Sequence, residues 1–356
     1  SDTMIDRKSF EPMYQQIKRD IEQQILSGQI KIGDKLMSET EMLEHYHVAR
    51  MTVRAALTEL VNNGCLAKER GRGTFCVALP RQAKKSIDVL LDTGDNYFAP
   101  YFLSGIGRVL DREGYQLVLN DTRDNVEMFE KLLQQIISRG TSGIIIQPYR
   151  RVQDISEELL QELESCQAAG IPVVTIDGKF RDQDLVGYMT DDVYGGKLAT
   201  EHLIAMGHRK ILGLFRSSYR DSVFRTRGYC RAMEEHSFTP QILDADGEYQ
   251  PALQALLQSR QITAIVCYND LLAVDCYHFF AQIGVRVPED VSVIGYDDTA
   301  LAAASLPQIT SVTHPKDIMG EDAADCLLQM LRGEIVQPRQ HLYQPKLIER
   351  QSVVRL

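Results

Sequence analysis

Two groups of side chains in this 356-residue chain have the types and spacing to do chemistry. The first is a set of polar residues that close short apolar runs: Asp92 after SIDVLL, Gln147 after GIII, Asp177 after IPVVTI, Asn269 after AIVCY and Asp297 after SVIGY. In open α/β sheets a ligand binds just beyond the carboxyl ends of the strands, so five polar tips in one body point to a small polar ligand. The second group lies in HVARMTVRAALTEL, residues 47–60. Val53, Ala56, Leu57 and Leu60 share one face at helical spacing, while Arg50, Met51, Thr52 and Arg54 occupy the first turn. A recognition helix presents that turn to base edges, and arginine suits the two acceptors of guanine. The alternative is ordinary surface cations paired with acids such as Glu41 or Glu44.

The elements that must hold these groups change character along the chain. PMYQQIKRDIEQQILSG (12–28) spaces Ile17, Ile21 and Ile25 by four between Pro12 and a Gly28 stop, which predicts a helix. SETEMLEHYH (38–47) opens with Ser38 and Glu41 as a capping box, and a third helix runs to Asn63-Gly64. CLAKERGRGTFCV (65–77) predicts two short strands joined at Arg70-Gly71-Arg72-Gly73. Three helices followed by a hairpin with a basic tip is the order of a winged helix-turn-helix. Its glycines let two arginines approach phosphates or a minor groove. We place this α+β unit at 1–78 and a polar, basic linker at 79–86. From 87 to 356, apolar strands alternate with helical segments, which predicts parallel βαβ units in a two-subdomain, doubly wound α/β body.

Composition bounds the function. With 44% apolar and 25% charged residues the chain reads as a soluble globular protein of two or three domains. It shows no run long enough for a membrane span and no basic-then-apolar leader, so the expectation is a cytoplasmic protein with no membrane partner. Seven cysteines, odd in number and never in CxxC spacing, read as buried free thiols rather than disulfides or zinc ligands. A net charge of −10 argues against a nucleic-acid partner, yet residues 1–79 hold 11 Lys+Arg against 11 Asp+Glu, so the whole excess of acid lies beyond them. Between 68 and 85, Lys68, Arg70, Arg72, Arg81, Lys84 and Lys85 meet the single acid Glu69. A basic stripe on an acidic protein is compatible with a DNA-binding head on a separate body.

Residues 10–78 resemble the winged helix-turn-helix of the GntR family. The resemblance rests on Tyr14-Gln15-Gln16-Ile17, Gly33-Asp34-Lys35-Leu36, Ser38-Glu39, Val48 to Arg54, and Gly71-Arg72-Gly73-Thr74-Phe75. It implies DNA contact by Glu39, Arg50, Thr52, Arg54, Arg70 and Arg72, with Met51 and Gly71 in the same turn and tip. Two positions depart from the family pattern. Met37 replaces the usual proline, and Ala49 replaces a Ser or Thr, so no phosphate-contacting hydroxyl is carried to Ala49.

Residues 87–356 resemble the LacI-type, periplasmic-binding-protein-like effector domain through HLIAMGHRKI, RTRGYCRAM, CYNDLLAV, VRVPEDVSVIGYDD and ITSVTHP. A GntR-type head on such a body is similar to the arabinose-repressor family. That likeness implies a homodimeric repressor on palindromic double-stranded operator DNA, relieved by L-arabinose or a related pentose. A sugar needs donors and acceptors around its hydroxyls and an aromatic face against its C–H surface. By resemblance, Gln147, Asp177, Arg225, Asn269, Asp297 and His314 match effector-contacting positions. Tyr97, Phe98 and Tyr101 in DNYFAPYF offer aromatic walls, with core packing of Phe98 and Phe102 as the alternative. Asp298 reads as a structural acid.

An enzyme, such as a sugar kinase or dehydrogenase, is the competing class. The body has no GxGxxG after its first strand, no GxxxxGK[ST] loop and no GxSxG. His202 and His208 are six residues apart and cannot share a metal on one helical face, and His45 and His47 have no cysteine partner. We therefore expect no catalysis, no metal and no cofactor.

Overall fold

The computed structural model describes residues 5–9, 11–80, 85–94, 97–168, 170–181, 183–337 and 339–356. The N-terminal part consists of α1 (Met13–Leu26), α2 (Glu39–Tyr46), α3 (Arg50–Asn62) and a hairpin of β1 (Leu66–Glu69) and β2 (Gly73–Cys76). Its helices form because their apolar residues recur every three or four positions and enclose Ile17, Ile21, Ile25, Met42, Val53 and Leu60. The capping box closes in both directions: Glu41 N donates to Ser38 Oγ at 3.2 Å, and Ser38 N donates to the Glu41 carboxylate at 2.6 Å. His47, at φ 52, ends α2 and turns the chain into α3. Ala49 is the N-cap of α3 and gives it no side-chain cap bond, so the first-turn N–H groups keep no side-chain partner. The hairpin pairs Leu66 with Cys76 and Glu69 with Gly73, and its turn needs Gly71 at φ 75.

The body alternates strand and helix. In order come β3 (Ser86–Leu91), α4 (Ala99–Arg112), β4 (Gln116–Asp121), α5 (Val126–Arg139), β5 (Gly143–Ile146), α6 (Glu157–Ala168), β6 (Val173–Ile176) and β7 (Val186–Thr190). These are followed by α7 (Asp192–Ala205), β8 (Ile211–Phe215), α8 (Arg220–Glu235), β9 (Gln241–Asp244), α9 (Gln250–Gln258), β10 (Ala264–Cys267), α10 (Asp270–Ile283), β11 (Ser292–Ile294), α11 (Ala300–Ala304) and β12 (Ser311–Val312). The chain ends with α12 (Met319–Leu331), β13 (Gln340–Tyr343) and β14 (Leu347–Ile348). One sheet has the order β13-β7-β6-β5-β3-β4 and the other β11-β10-β8-β9, with parallel pairing throughout both.

Each sheet defines a lobe. Strands buried on both faces read as continuous apolar runs, and GIII in β5, VVTI in β6 and AIVC in β10 are buried at every position. The first lobe keeps one core around Phe102, Ile106, Val174 and Leu327 and another around Phe129, Leu133, Ile144 and Leu163. The second lobe closes over Leu212, Tyr229, Ile265 and Phe280. The backbone passes between lobes after β7, between β12 and α12, and between β13 and β14. The last two passages lie side by side, Thr313 N donating to Lys346 O at 2.8 Å.

Every strand expected from the sequence forms, and β7, β9, β12, β13 and β14 are additional. β9 and β13 are edge strands with alternating exposure, so they lack a continuous apolar run. Part of the expected linker, residues 81–84, lies outside the described residues. Of the seven cysteines, all but Cys230 are buried. No helix of the described residues is long and apolar enough to cross a membrane.

Candidate functional site

Two places gather charge. On the head, Arg50 and Arg54 project from the first turn of α3, beside an exposed Met51 and a half-buried Thr52. Their acid is neither Glu41, which is engaged in the capping box, nor Glu44. It is Glu39, the first residue of α2: Arg54 Nε lies 3.0 Å from its carboxylate, Arg50 3.8 Å and Lys68 of β1 3.3 Å. The bond from Arg54 holds the Glu39 carboxyl below its ordinary range against the opposing effect of burial. One carboxylate of α2 thus fans three cations, two from α3 and one from the wing. At the wing tip Arg72 pairs with Glu69 at 2.5 Å and rests over Phe75, while exposed Arg70 has no ion pair among the described residues. Exposed pairs of this kind contribute little net energy, so the cations can turn to phosphates or bases at small cost.

The second place lies between the lobes. Arg225 of α8 is 1% exposed, a large buried cation. Its guanidinium bonds Asp297 at 3.0 Å, Asp192 at 3.2 Å and the Tyr268 carbonyl at 2.7 Å, and it stacks 3.7 Å from the Tyr296 ring. The Tyr97 hydroxyl donates to the other Asp297 oxygen. Asp177 accepts from Gln147 at 3.2 Å and pairs with His314 Nε2 at 2.7 Å, and the Phe98 ring stacks on the His314 ring at 3.9 Å. Of the eight expected effector residues, seven therefore fall into two linked clusters. Asn269 stands apart as the N-cap of α10, accepting from Leu272 N at 2.8 Å.

Burial dominates the electrostatics. It pushes the Asp192 carboxyl up to about 6 against the pull of Arg225. It also raises Asp297, with Asp221 adding to the effect, although Arg225 draws the other way. Burial works to lower His314, and the Asp177 carboxylate more than reverses it, so the imidazole sits above its usual value. Asp270 is pushed to about 7 by burial, and its carboxylate receives the Thr299 N–H and the hydroxyls of Thr299 and Ser311. That makes Asp270 a structural acid. Asp298 has a structural role too, paired with Arg350 at 2.6 Å.

A cavity of about 470 Å³ opens beside these clusters, within the size range of small-molecule sites. Arg150, Asp177, Lys179 and Thr190 line it from the first lobe, and Asp192, Asp221 and Phe224 from the second. Only Asp177 of the expected effector residues reaches its wall. Arg225 and Asp297 lie behind it, already bonded to one another. Two buried polar atoms at the clusters, Thr190 Oγ1 and His314 Nδ1, have no hydrogen-bond partner among the described residues, so each has room for a further polar group. The lobes meet around this space: Arg220 donates to Arg151 O at 2.7 Å and pairs with Asp154 at 2.6 Å, and Val152 N donates to Ser218 O at 2.9 Å.

The aromatic expectation is partly corrected. Tyr97 and Phe98 border the clusters, but Tyr101 lies on α4 and is exposed, and Phe102 is core. Sequence reasoning missed Asp192, Asp221, Tyr268, Tyr296 and Thr190. A signal for Asp192 existed in Gly195-Gly196, three and four residues after it. A Cβ at Gly196 would stand 2.1 Å from the Arg225 carbonyl and one at Gly228 2.0 Å from Val193 O, so glycine is what lets α7 and α8 touch. That contact brings Asp192 to Arg225. Among the described residues no group of three or more His, Cys, Asp or Glu is arranged to hold a metal ion.

Comparison with known proteins follows the same division. Residues 13–76 match the model of bacterial regulatory proteins of the gntR family, and residues 200–353 that of a periplasmic binding protein-like domain. The chain is 33% identical to an arabinose metabolism transcriptional repressor of Geobacillus stearothermophilus, over 96% of this chain and 97% of that one. It is 31% identical to the repressor of the same description from Halalkalibacterium halodurans, over 96% of each. Among solved structures, a LacI family transcriptional regulator from Enterococcus faecalis V583 with bound ribose covers 76% of this chain and 100% of its own, at TM-score 0.63 and 26% identity.

Proposed function

The chain belongs to the family of the arabinose metabolism transcriptional repressors, and on that premise we propose that it is a homodimer that leaves a palindromic operator when L-arabinose or a related pentose binds between its lobes. It is a transcriptional repressor that couples a DNA-binding head to a sugar-binding effector domain. The observation that carries the effector reading is the interlobe cavity with Asp177, Thr190, Asp192 and Asp221 in its wall, Thr190 Oγ1 having no hydrogen-bond partner among the described residues. Carboxylates accept from sugar hydroxyls through charge-assisted bonds, and Phe224 supplies an apolar surface. Tyr97, Phe98, Gln147, Arg225, Asp297 and His314 then act from behind that wall, with Asn269 apart from them at the start of α10. On the head, Glu39, Arg50, Met51, Thr52, Arg54, Arg70, Gly71 and Arg72 form the operator surface. The protein acts as a regulator without catalysis, in keeping with the description of its relatives. We take residues 1–78 as the DNA-binding unit, 79–86 as the linker and 87–356 as the effector and dimerisation unit, in the cytoplasm.

A head of this size reaches one half-site, so tight binding requires two heads at fixed spacing. If sugar favours one arrangement of the lobes and operator another, a coupling of about 1–3 kcal/mol loosens DNA binding roughly 5–150-fold. Calorimetry against L-arabinose, D-xylose, D-ribose, hexoses and purines, paired with operator gel shifts, tests the reading. L-Arabinose should bind and release operator. Failure of every pentose to bind would reject the effector assignment and leave the operator-binding assignment standing.

A further inference from the structure

Asp297 and Asp298 follow each other at φ 93 and φ 48, a backbone that residues other than glycine rarely adopt. Something must hold that turn, because it aims the Asp297 carboxylate at Arg225. The Asp297 amide donates to Val312 O at 2.7 Å and the Asp298 amide to Ser311 Oγ at 3.0 Å, which fixes the donor side. The acceptor side is fixed by one cation. Lys316 Nζ donates to the carbonyls of Asp297 at 3.1 Å and Asp298 at 2.8 Å. Lys316 is 9% exposed and forms no ion pair among the described residues. A buried ammonium needs acceptors, and these two carbonyls converge on it.

Lys316 sits on the passage between β12 and α12, two residues from His314. Those two side chains reach opposite lobes. His314 bonds Asp177 at the end of β6 and stacks on Phe98, while Lys316 holds the turn after β11. We infer that Lys316 is a positioning residue, which sets the Asp297 carboxylate through the backbone of residues 297 and 298 and ties it to the passage that joins the lobes. It acts through Asp297 and touches no part of the cavity wall. Sugar that engages the Asp297–Arg225 pair then changes the hold on that passage, which gives the effector a mechanical route to lobe arrangement. This rests on the proposed effector site.

The test is a double-mutant cycle on the full-length protein with L-arabinose as probe. K316M keeps the stem and removes the donors, and it should weaken L-arabinose about tenfold or more with unchanged operator affinity, the scale of losing charge-assisted hydrogen bonds. K316R should restore most of the affinity. In a D297A background K316M should add little, because its effect passes through that carboxylate. Additive losses, or K316M with wild-type affinity, would overturn the inference, whereas wild-type affinity in D297A would instead reject the effector site itself. Hydrogen exchange without sugar gives an independent arm: K316M, or K316Q if K316M does not fold, should speed exchange at residues 295–299 and leave β10 unchanged. Unchanged exchange at 295–299 overturns the inference whatever sugar binds, and loss of operator binding in both variants reduces Lys316 to a general structural role and overturns it too.

Discussion

The head and the cleft both gather cations around carboxylates, in opposite surroundings. At Glu39 three exposed cations share one acid, and the Arg54 side chain keeps 56% of its surface in water. At Arg225 one cation, 2% exposed as a side chain, serves Asp192 and Asp297 with Asp221 at 3.4 Å. The first cluster can exchange partners because water and salt already compete for each of its charges. The second cannot release a member without leaving another charge buried and unpaired. The first arrangement suits a surface that trades its pairs for phosphates, and the second a rigid network between the lobes.

The largest effect should come from breaking the buried network. R225A leaves two buried carboxylates without their cation, and removal of one partner of a buried pair costs about 3–5 kcal/mol. Urea unfolding of the variant should show a loss on that scale. A midpoint within error of wild type would mean that the cluster is far better solvated than its burial indicates. R225A therefore couples any loss of sugar affinity to a loss of stability. R54A is the matched change in the head and should do the reverse. Its unfolding free energy should stay within about 1 kcal/mol, while operator affinity falls by about 1–3 kcal/mol. Unchanged operator affinity would remove Arg54 from the DNA surface. K68A should lower affinity on all sequences alike and reduce the salt slope by about 1, as for a phosphate contact.

The contrast also explains what was legible in the sequence. The head's signals are local: the Ser38–Glu41 box spans three residues, and the apolar stripe of α3 repeats within one helix. The cleft's signals are distant. Tyr97 meets Asp297 across 200 positions and Arg225 meets Asp297 across 72. Strand tips flagged Asp177 and Asp297 because a parallel sheet must present its carboxyl ends to the cleft. Nothing local marked Asp192 as more than the second residue of an acidic helix start, until the glycines that admit α8 are considered. Even Glu39 was placed by resemblance as a DNA contact, whereas its role in arranging Arg50, Arg54 and Lys68 needed three elements in space.

The smallest effect is expected at the His314–Asp177 pair of the cleft. His314 faces Asp177 directly, with Gln147 on the same carboxylate, Phe98 and Phe102 around its ring, and Asp192 and Asp297 contributing at longer range. Its folded value lies above the unfolded value of about 6.5, so the native state binds the extra proton and stability falls as pH rises. The contribution of the pair is complete below about 6.5 and disappears as pH passes the raised folded value. Asp192, raised to about 6, acts with the same sign in a lower window, because there too the folded state holds the proton longer. Subtracting the H314Q curve from that of wild type separates the two. The difference in melting temperature should be widest in mildly acidic buffer and shrink as pH rises past neutrality, while R54A should melt in parallel with wild type across that range. A constant gap between H314Q and wild type would show that the imidazole contributes by stacking on Phe98 alone, and that no proton links the two lobes.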